Sequence, residues 1–228
     1  MRRTIVLTSA IAMLLATASA FAADGKTSGE VTIDTGASSS DSTTPAAGGA
    51  VLLGAKAGGI LPFSGLSPFA SVGVEAGYVF PWMNRSFAAA LDVDYTVPKA
   101  NGTQTDPRIG DAGGAYDWKL TEKEFAFMPV VMYRLTSLGK LTPYGGIGPR
   151  IYLLQSTVEG TANGGPIQST TEQSTKVGVG VPVGVEYQLG PGGLLAELLF
   201  QYAGLDHTAT GNANTGALSL SVGYRGLL

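Results

Sequence analysis

The stretch TKVGVGVPVGVEYQLG (residues 175–190) alternates two kinds of side chain along its whole length. Bulky apolar residues occupy every second position, at Val177, Val179, Val181, Val183, Val185, Tyr187 and Leu189. The positions between them hold Lys176, Gly178, Gly180, Pro182, Gly184, Glu186 and Gln188. A period of two predicts a β-strand with two different faces, because successive side chains of a strand point to opposite sides of its sheet.

Seven further segments have strand character, which gives a set of eight. We predict strands at about 50–60, 69–80, 86–97, 118–135, 143–158, 173–189, 193–205 and 215–228. The fourth changes phase between Leu120 and Phe125, which indicates a bulge or an extension beyond the regular sheet. Tight turns at 81–85, 136–140 and 190–193 alternate with longer polar loops at 61–68, 98–117, 159–172 and 206–214. Short turns at one end and long loops at the other are typical of outer-membrane barrels.

Two solvents could produce strands with one apolar face. A soluble barrel turns that face inward, whereas a membrane barrel turns it toward lipid and fills its lumen with the other face. Glycines decide between them, because glycine weakens a water-exposed strand but leaves room inside a narrow barrel. The inferred lumen positions include Gly54, Gly58, Gly73, Gly77, Gly146, Gly148, Gly178, Gly180, Gly184 and Gly223. The sequence therefore predicts an all-β, eight-stranded antiparallel up-and-down transmembrane β-barrel.

The composition agrees with a chain that has little water-facing surface. Charged residues make up 14% of the sequence, against about 25% in soluble domains. The formal net charge of -3 gives no reason to expect a nucleic-acid partner. Because the chain has no cysteine, it has neither disulfides nor a thiolate nucleophile.

The start of the chain indicates export. Arg2 and Arg3 precede an apolar run that ends in small residues, which predicts a signal peptide over 1–23. A permanent anchor is the alternative, but the run is short for a spanning helix of about 20 residues. Residues 24–49 have the composition of a disordered polar linker, so the barrel itself is predicted over 50–228, in the outer membrane of a Gram-negative cell.

Charged residues at inferred lumen positions are expected to form a network. We place Lys56, Glu75, Asp92 and Arg150 near mid-barrel, and Arg134, Glu186, Glu197 and Arg225 nearer the short-turn end. Each layer then holds two positive and two negative groups, and buried charges need such pairing. This favours a closed lumen, since a selective pore would show an excess of one sign. The alternative for each residue is an incidental solvated charge.

Aromatic residues concentrate near the strand ends. Amphipathic rings settle at the headgroup level, which predicts two girdles, although aromatics also favour strands in general. The predicted girdle residues are Phe80, Trp82, Tyr95, Trp118, Tyr133, Tyr187 and Tyr224.

In pattern, residues 50–228 resemble the small outer-membrane β-barrel superfamily, the eight-stranded barrels of outer membrane proteins A and X. The ending ALSLSVGYRGLL (217–228) resembles the assembly signal recognised by the barrel-insertion machinery, with Leu220, Val222, Tyr224 and Leu228 in the matching positions. It departs from the family at Leu228, where phenylalanine is usual, and at Gly226, which interrupts the apolar series. The resemblance implies outer-membrane lipid and the insertion machinery as partners.

The sequence shows no convincing catalytic or metal site. The single histidine, His207, lies where lipid A deacylases carry a His followed two residues later by Ser, but position 209 is Ala. Asp92 and Asp94 share a strand face, but two carboxylates alone make neither a metal site nor an acid–base pair. Asp106, Asp111 and Asp117 lie in a Gly-rich loop but lack the spacing of a calcium loop. We therefore predict no catalytic residue, no metal and no cofactor.

The expected function is non-enzymatic and envelope-structural, adhesive or partner-anchoring, exerted through the long loops. A larger envelope complex is a possible partner. The alternatives are a narrow porin-like channel and, third, a lipid A-modifying enzyme centred on His207.

Overall fold

The computed structural model describes residues 48–109, 114–136, 138–205 and 214–228. The predicted signal peptide (1–23), nearly all of the predicted linker (24–49) and His207 lie outside the described residues. Within the described part of the chain, no helix is long and apolar enough to cross a membrane.

The described residues form nine strands and one short 3-10 helix. The strands are β1 (Ala50–Pro62), β2 (Phe69–Val79), β3 (Phe87–Thr96), β4 (Lys99–Thr105), β5 (Ala115–Arg134), β6 (Leu141–Ala162), β7 (Gly165–Leu189), β8 (Gly192–Tyr202) and β9 (Ala217–Leu227), and the helix covers Trp82–Arg85. Eight of them close a ring in the order β1-β2-β3-β5-β6-β7-β8-β9, and β9 pairs with β1. Every pairing is antiparallel, so the predicted eight-stranded barrel is confirmed.

The ninth strand, β4, continues β3 beyond the barrel. Both pair with β5 in one unbroken register, and the interruption falls at Val97 and Pro98. Proline has no N–H to donate to the ladder, which accounts for the break. Its carbonyl still accepts a hydrogen bond of 3.0 Å from the Glu122 N–H, so β3 and β4 remain one continuous edge along β5.

The strands tilt strongly relative to the barrel axis. The register that starts at Leu52, followed from strand to strand around the ring, returns to β1 at Pro62 instead of at Leu52. Such a stagger requires tilted strands. Residues at equal distances from their strand ends therefore lie at different heights in the lumen.

The outward face of the barrel is apolar over a limited height. Val177, Leu220 and Val222 are among its most exposed side chains, at 68%, 63% and 64%. The band ends at the row that joins Tyr95, Phe125 and Leu153. Above it, outward positions turn polar, beginning with Lys123, Gln155 and Gln173. The upper parts of β5, β6 and β7, together with β4, thus form a sheet that rises beyond the lipid-facing band. We call this sheet the extension.

The predicted loops at 98–117 and 159–172 are largely wrong, because the structure has the strands of the extension there. β6 and β7 meet at a two-residue turn, Asn163 and Gly164, both with positive φ. Asn-Gly is the preferred sequence of such hairpins. The strands were missed because Thr, Ser and Gln occupy both faces, which removes the alternation.

The phase change at Leu120 is an extension and not a bulge. The register of β5 runs on without a shift, and Leu120 is buried on the inner face against Leu66 and Ala100. A register shift occurs instead between β6 and β7, at Gly160 and Thr161.

Candidate functional site

The lumen is crowded at its inward-facing glycines. At all ten predicted lumen glycines, an added Cβ would lie within 3.0 Å of a neighbouring atom. At the outward glycines Gly59, Gly145 and Gly226, the nearest atom would be 3.6–3.8 Å away. The inner radius is therefore too small for side chains at the glycine positions.

One ion-pair network centres on Arg225, which is 1% exposed. Its Nη2 donates to Glu75 at 2.7 Å, and its Nη1 donates to Glu186, which also accepts from Arg134 at 2.7 Å. Gly54 lies between Arg225 and Glu75 in the register, so that no side chain separates the two. The guanidinium also lies over the Tyr144 ring, 4.5 Å from its centroid.

A second network centres on Lys56. Its Nζ donates to Asp92 at 2.6 Å and to Glu197 at 2.7 Å. Glu197 also accepts from the Tyr144 hydroxyl at 2.9 Å, and Asp94 accepts from Arg150 at 2.8 Å. The two networks meet around Tyr144, which contacts both.

The predicted layers are wrong in two respects. Glu75 belongs with Arg225, and Glu197 belongs with Lys56, because strand tilt brings together residues at different distances along their strands.

The predicted charge balance also fails. Six carboxylates but only four cations are buried among the described residues, since Glu122 and Glu124 face inward as well.

Packing rather than charge balance closes the lumen. Arg150, Tyr152, Met128, Met132 and Gln201 are each less than 2% exposed inside it. The cavity among Lys56, Glu124, Arg150 and Glu197 measures about 20 Å³, room for about one water. The large apolar side chains were not predicted, because they interrupt the alternation of apolar and small or charged residues.

The predicted girdle residues mostly face outward near the ends of the apolar band. At the short-turn end, Trp82 is 65% exposed and stacks on Phe80 with centroids 4.9 Å apart. Tyr95 lies on the outer face at the opposite end, and further outward rings were missed there. The predicted residues Tyr133, Tyr187 and Tyr224 are exposed at the short-turn end, and the missed rings are Phe63, Phe69, Phe200 and Tyr202.

Trp118 is the exception, and its assignment to a girdle is wrong. It lies on the inner face of the extension, on the same side of β5 as Leu120, and packs against the cluster of Leu66, Ala100 and Leu120. Its position above the lipid-facing band follows from the length of β5, which continues beyond Phe125 toward Ala115.

The two tryptophans should therefore respond differently to membrane quenchers. In vesicles of lipid brominated near the headgroup end of its acyl chains, we expect strong quenching of Trp82 and little of Trp118. Single-tryptophan variants, Trp118→Phe and Trp82→Phe, separate the two emissions. Equal quenching of both would place the extension inside the bilayer and contradict the assigned band.

The inner face of the extension forms an open cleft of about 530 Å³. Its floor is the buried cluster of Leu66, Ala100 and Leu120. Trp118 lies in register between two glycines, Gly102 on β4 and Gly160 on β6. The walls carry ten residues from four strands and one turn, namely Gln104, Asp106, Ile109, Tyr116, Trp118, Leu120, Val158, Gly160, Ile167 and Thr170.

Asp106, the one charged residue among the described residues of the lining, is neutralised locally. Asp106 accepts three hydrogen bonds from the Arg108 side chain, at 2.6–3.1 Å, and one from the Arg108 backbone at 3.0 Å. The hydrogen bonds from Arg108 lower the pKa of Asp106 to about 2, so the pair stays ionised at neutral pH. The cleft therefore presents no unpaired charge from this carboxylate.

The residues of the predicted assembly signal lie on the outer face of β9. Leu220, Val222, Tyr224 and Leu228 are all exposed there. The Leu228 N–H and C=O both bond to Val51, at 2.9 and 2.8 Å, which continues the β1–β9 pairing to the last residue of the sequence.

Several residues considered for catalysis or metal binding are not described by the structure. His207, Asp111 and the rest of segments 110–113 and 206–213 lie outside the described residues. In the part of the chain that is described, no three His, Asp or Glu side chains are placed to hold a metal ion.

A family model agrees with the barrel. The family described as outer membrane protein beta-barrel domain matches residues 8–225. Neisserial surface protein A is 24% identical, with 79% of this chain and 97% of that chain covered and a TM-score of 0.45. A major outer membrane protein from Thermus thermophilus is 14% identical (78% and 99% covered, TM-score 0.46), and OprG from Pseudomonas aeruginosa is 13% identical (80% and 96%, 0.45). No match was found among curated protein sequences.

Proposed function

Because the chain belongs to the family of outer membrane protein beta-barrel domains, we propose that it is a non-enzymatic, closed barrel that acts through the residues it displays outside the cell. The family places it in the outer membrane of a Gram-negative cell, where long connections face outward and short turns face the periplasm. Its role is envelope-structural, adhesive or partner-anchoring. Outer-membrane lipid, the barrel-insertion machinery and an envelope protein complex are the proposed partners.

The packed lumen is the observation that carries this proposal. Arg150 and Arg225 cross the interior, are almost fully buried and are each held by a carboxylate. A solute would have to displace these ion pairs, and breaking a buried pair costs several kcal/mol. In contrast, β6 and β7 extend 22 and 25 residues, longer than the 9–11 residues or so that a spanning strand needs. The excess length forms the extension, which is the part available to partners outside the cell.

A narrow pore is the second candidate, favoured by one specific observation. The excess of buried carboxylates over cations is the charge pattern of a cation-selective path. The small volume of the lumen cavity, about 20 Å³, argues against it.

Planar-bilayer recording separates the two candidates. We expect no stable unitary currents from the purified protein, because fully buried side chains fill its cross-section. A variant with Met128→Gly and Arg150→Gly, which empties the region beside that cavity, is expected to give small currents and serves as the positive control. Reproducible unitary currents from the unmodified protein would contradict the closed barrel. Partners of the extension are sought by co-purification from native outer membranes.

A further inference from the structure

We propose that the cleft of the extension binds an uncharged, planar ring compound that stacks on Trp118 and hydrogen-bonds through one edge. The inference rests on the proposed function in one respect only, that the extension is the working part of the molecule. It adds the chemical class of the ligand.

The cleft has the volume of a binding site and is closed at its base. Its volume of about 530 Å³ lies within the range of about 300–1,000 Å³ that is usual for small-molecule sites. Leu66, Ala100 and Leu120 are at most 8% exposed and separate the cleft from the charged lumen below. A molecule that enters from outside therefore meets a floor and stops there.

Trp118 provides a flat apolar surface within the cleft. A Cβ on Gly102 would lie 3.0 Å from Cζ2 of Trp118, so the indole ring lies closely over that glycine. Gly160, its register partner on the other side, has no side chain to cover the ring. Gly102 thus supports the indole, and the indole also lines the open cleft, an arrangement suited to stacking of a second planar ring.

A β-bulge adds a second apolar wall. The register of β6 and β7 jumps from Gly160–Gln168 to Thr161–Pro166, which leaves Ile167 without a partner residue. Bulges of this kind re-aim a side chain, and Ile167 lines the cleft together with Val158. An Ile in regular register would point to the outer face of this strand instead.

The polar groups of the cleft indicate that the ligand is uncharged and carries a hydrogen-bond acceptor along one edge. Among the described residues that line it there is no Lys or Arg, which disfavours phosphates, sulfates and carboxylates. Asp106 is occupied by Arg108, which disfavours a cation. Tyr116 donates a hydrogen bond of 3.4 Å to the Gln104 Oε1, and the Gln104 amide retains N–H groups for an acceptor on the ligand. The remaining lining is mostly apolar.

Energy transfer from Trp118 tests the proposal directly. Trp82→Phe leaves Trp118 as the sole tryptophan of the chain. We titrate this full-length variant, refolded in detergent, with 7-methoxycoumarin, an uncharged planar fluorophore with a carbonyl edge. We expect transfer that saturates, and at least about tenfold weaker binding of anionic naphthalene-2-sulfonate.

Matched variants separate binding in the cleft from partitioning into detergent. Gly160→Leu places a side chain over the indole and is expected to weaken binding about tenfold or more. Glu159→Leu adds the same side chain at the neighbouring position, exposed on the outer face, and should leave binding unchanged. If Gly160→Leu does not fold, Ile167→Ser removes the opposite wall and should also weaken binding.

Three results would overturn the inference. The first is transfer that rises without saturation, and the second is equal transfer in the cleft variants and in Glu159→Leu. Displacement of the coumarin by a methyl glucoside would likewise reject the planar-ring class in favour of a sugar. None of these results bears on the closed lumen, which the bilayer recordings test separately.

Discussion

Replacement of Arg225 with methionine is expected to destabilise the folded barrel by about 3–5 kcal/mol. Arg225 bonds to both Glu75 and Glu186, and all three side chains are at most 6% exposed. Methionine fills much of the volume of the arginine side chain, but it has no positive charge to balance the two buried carboxylates. Arg134 still forms an ion pair with Glu186, so most of the energetic cost comes from the unpaired charge of Glu75. Urea unfolding of the protein in lipid vesicles, followed by tryptophan emission, measures the loss.

Two further variants show whether the loss comes from unpaired charge. Arg108→Met removes a cation that is 89% exposed and should leave the unfolding free energy unchanged. Combining Arg225→Met with Glu75→Gln should recover most of the stability, because Glu186 keeps Arg134 as its partner and no unpaired carboxylate then remains at this position. If Arg225→Met alone is as stable as the unmodified protein, the lumen is well hydrated, which contradicts the closed interior.

The barrel could be predicted from the sequence because every strand faces two different environments, and each environment selects its own residues at alternate positions. Lipid selects valine, leucine and aromatic residues outside, and the narrow lumen selects glycine inside. Both constraints repeat with a period of two, so a single strand such as 175–190 displays them. The strand count and the tight turns followed from the same alternation.

Pairing within the lumen could not be predicted, because it depends on relations between strands. Arg225 meets Glu75 across Gly54, and that contact requires the registers of both neighbouring pairs. Alternation along one strand fixes which side a residue faces but not its height once the strands tilt. Glu75 and Glu197 were therefore assigned to the wrong layers.

The extension and its cleft were missed for a different reason. Above the lipid band water lies on the outer face, so the outward residues are polar and the two-residue period disappears. Two local signals were nevertheless present. Asn163-Gly164 marks a hairpin turn, and Trp118 precedes a polar stretch that cannot face lipid. The bulge that turns Ile167 inward has no such signal in the sequence.

Adjacent glycines on β1 test the orientation from which the whole assignment follows. Gly58→Ala is expected to destabilise the barrel by about 1–3 kcal/mol or more. Its Cβ would lie 2.6 Å from the Ser221 Cα and still closer to the Leu220 carbonyl oxygen. These are backbone atoms of β9, so relief requires β1 and β9 to separate, and β1–β9 is the pairing that closes the ring.

Gly59→Ala is the matched control, one residue along the same strand. There the added methyl points to the lipid face, with its nearest neighbour, the Phe69 carbonyl oxygen, 3.7 Å away. We expect it to be neutral or to stabilise the barrel by up to about 1 kcal/mol, because alanine restricts the unfolded chain. Vesicle-based urea unfolding compares the two variants directly. If Gly59→Ala is instead the less stable variant, then Gly58 faces outward and the valines face inward. An inward apolar face is typical of a water-soluble barrel and not of one embedded in lipid.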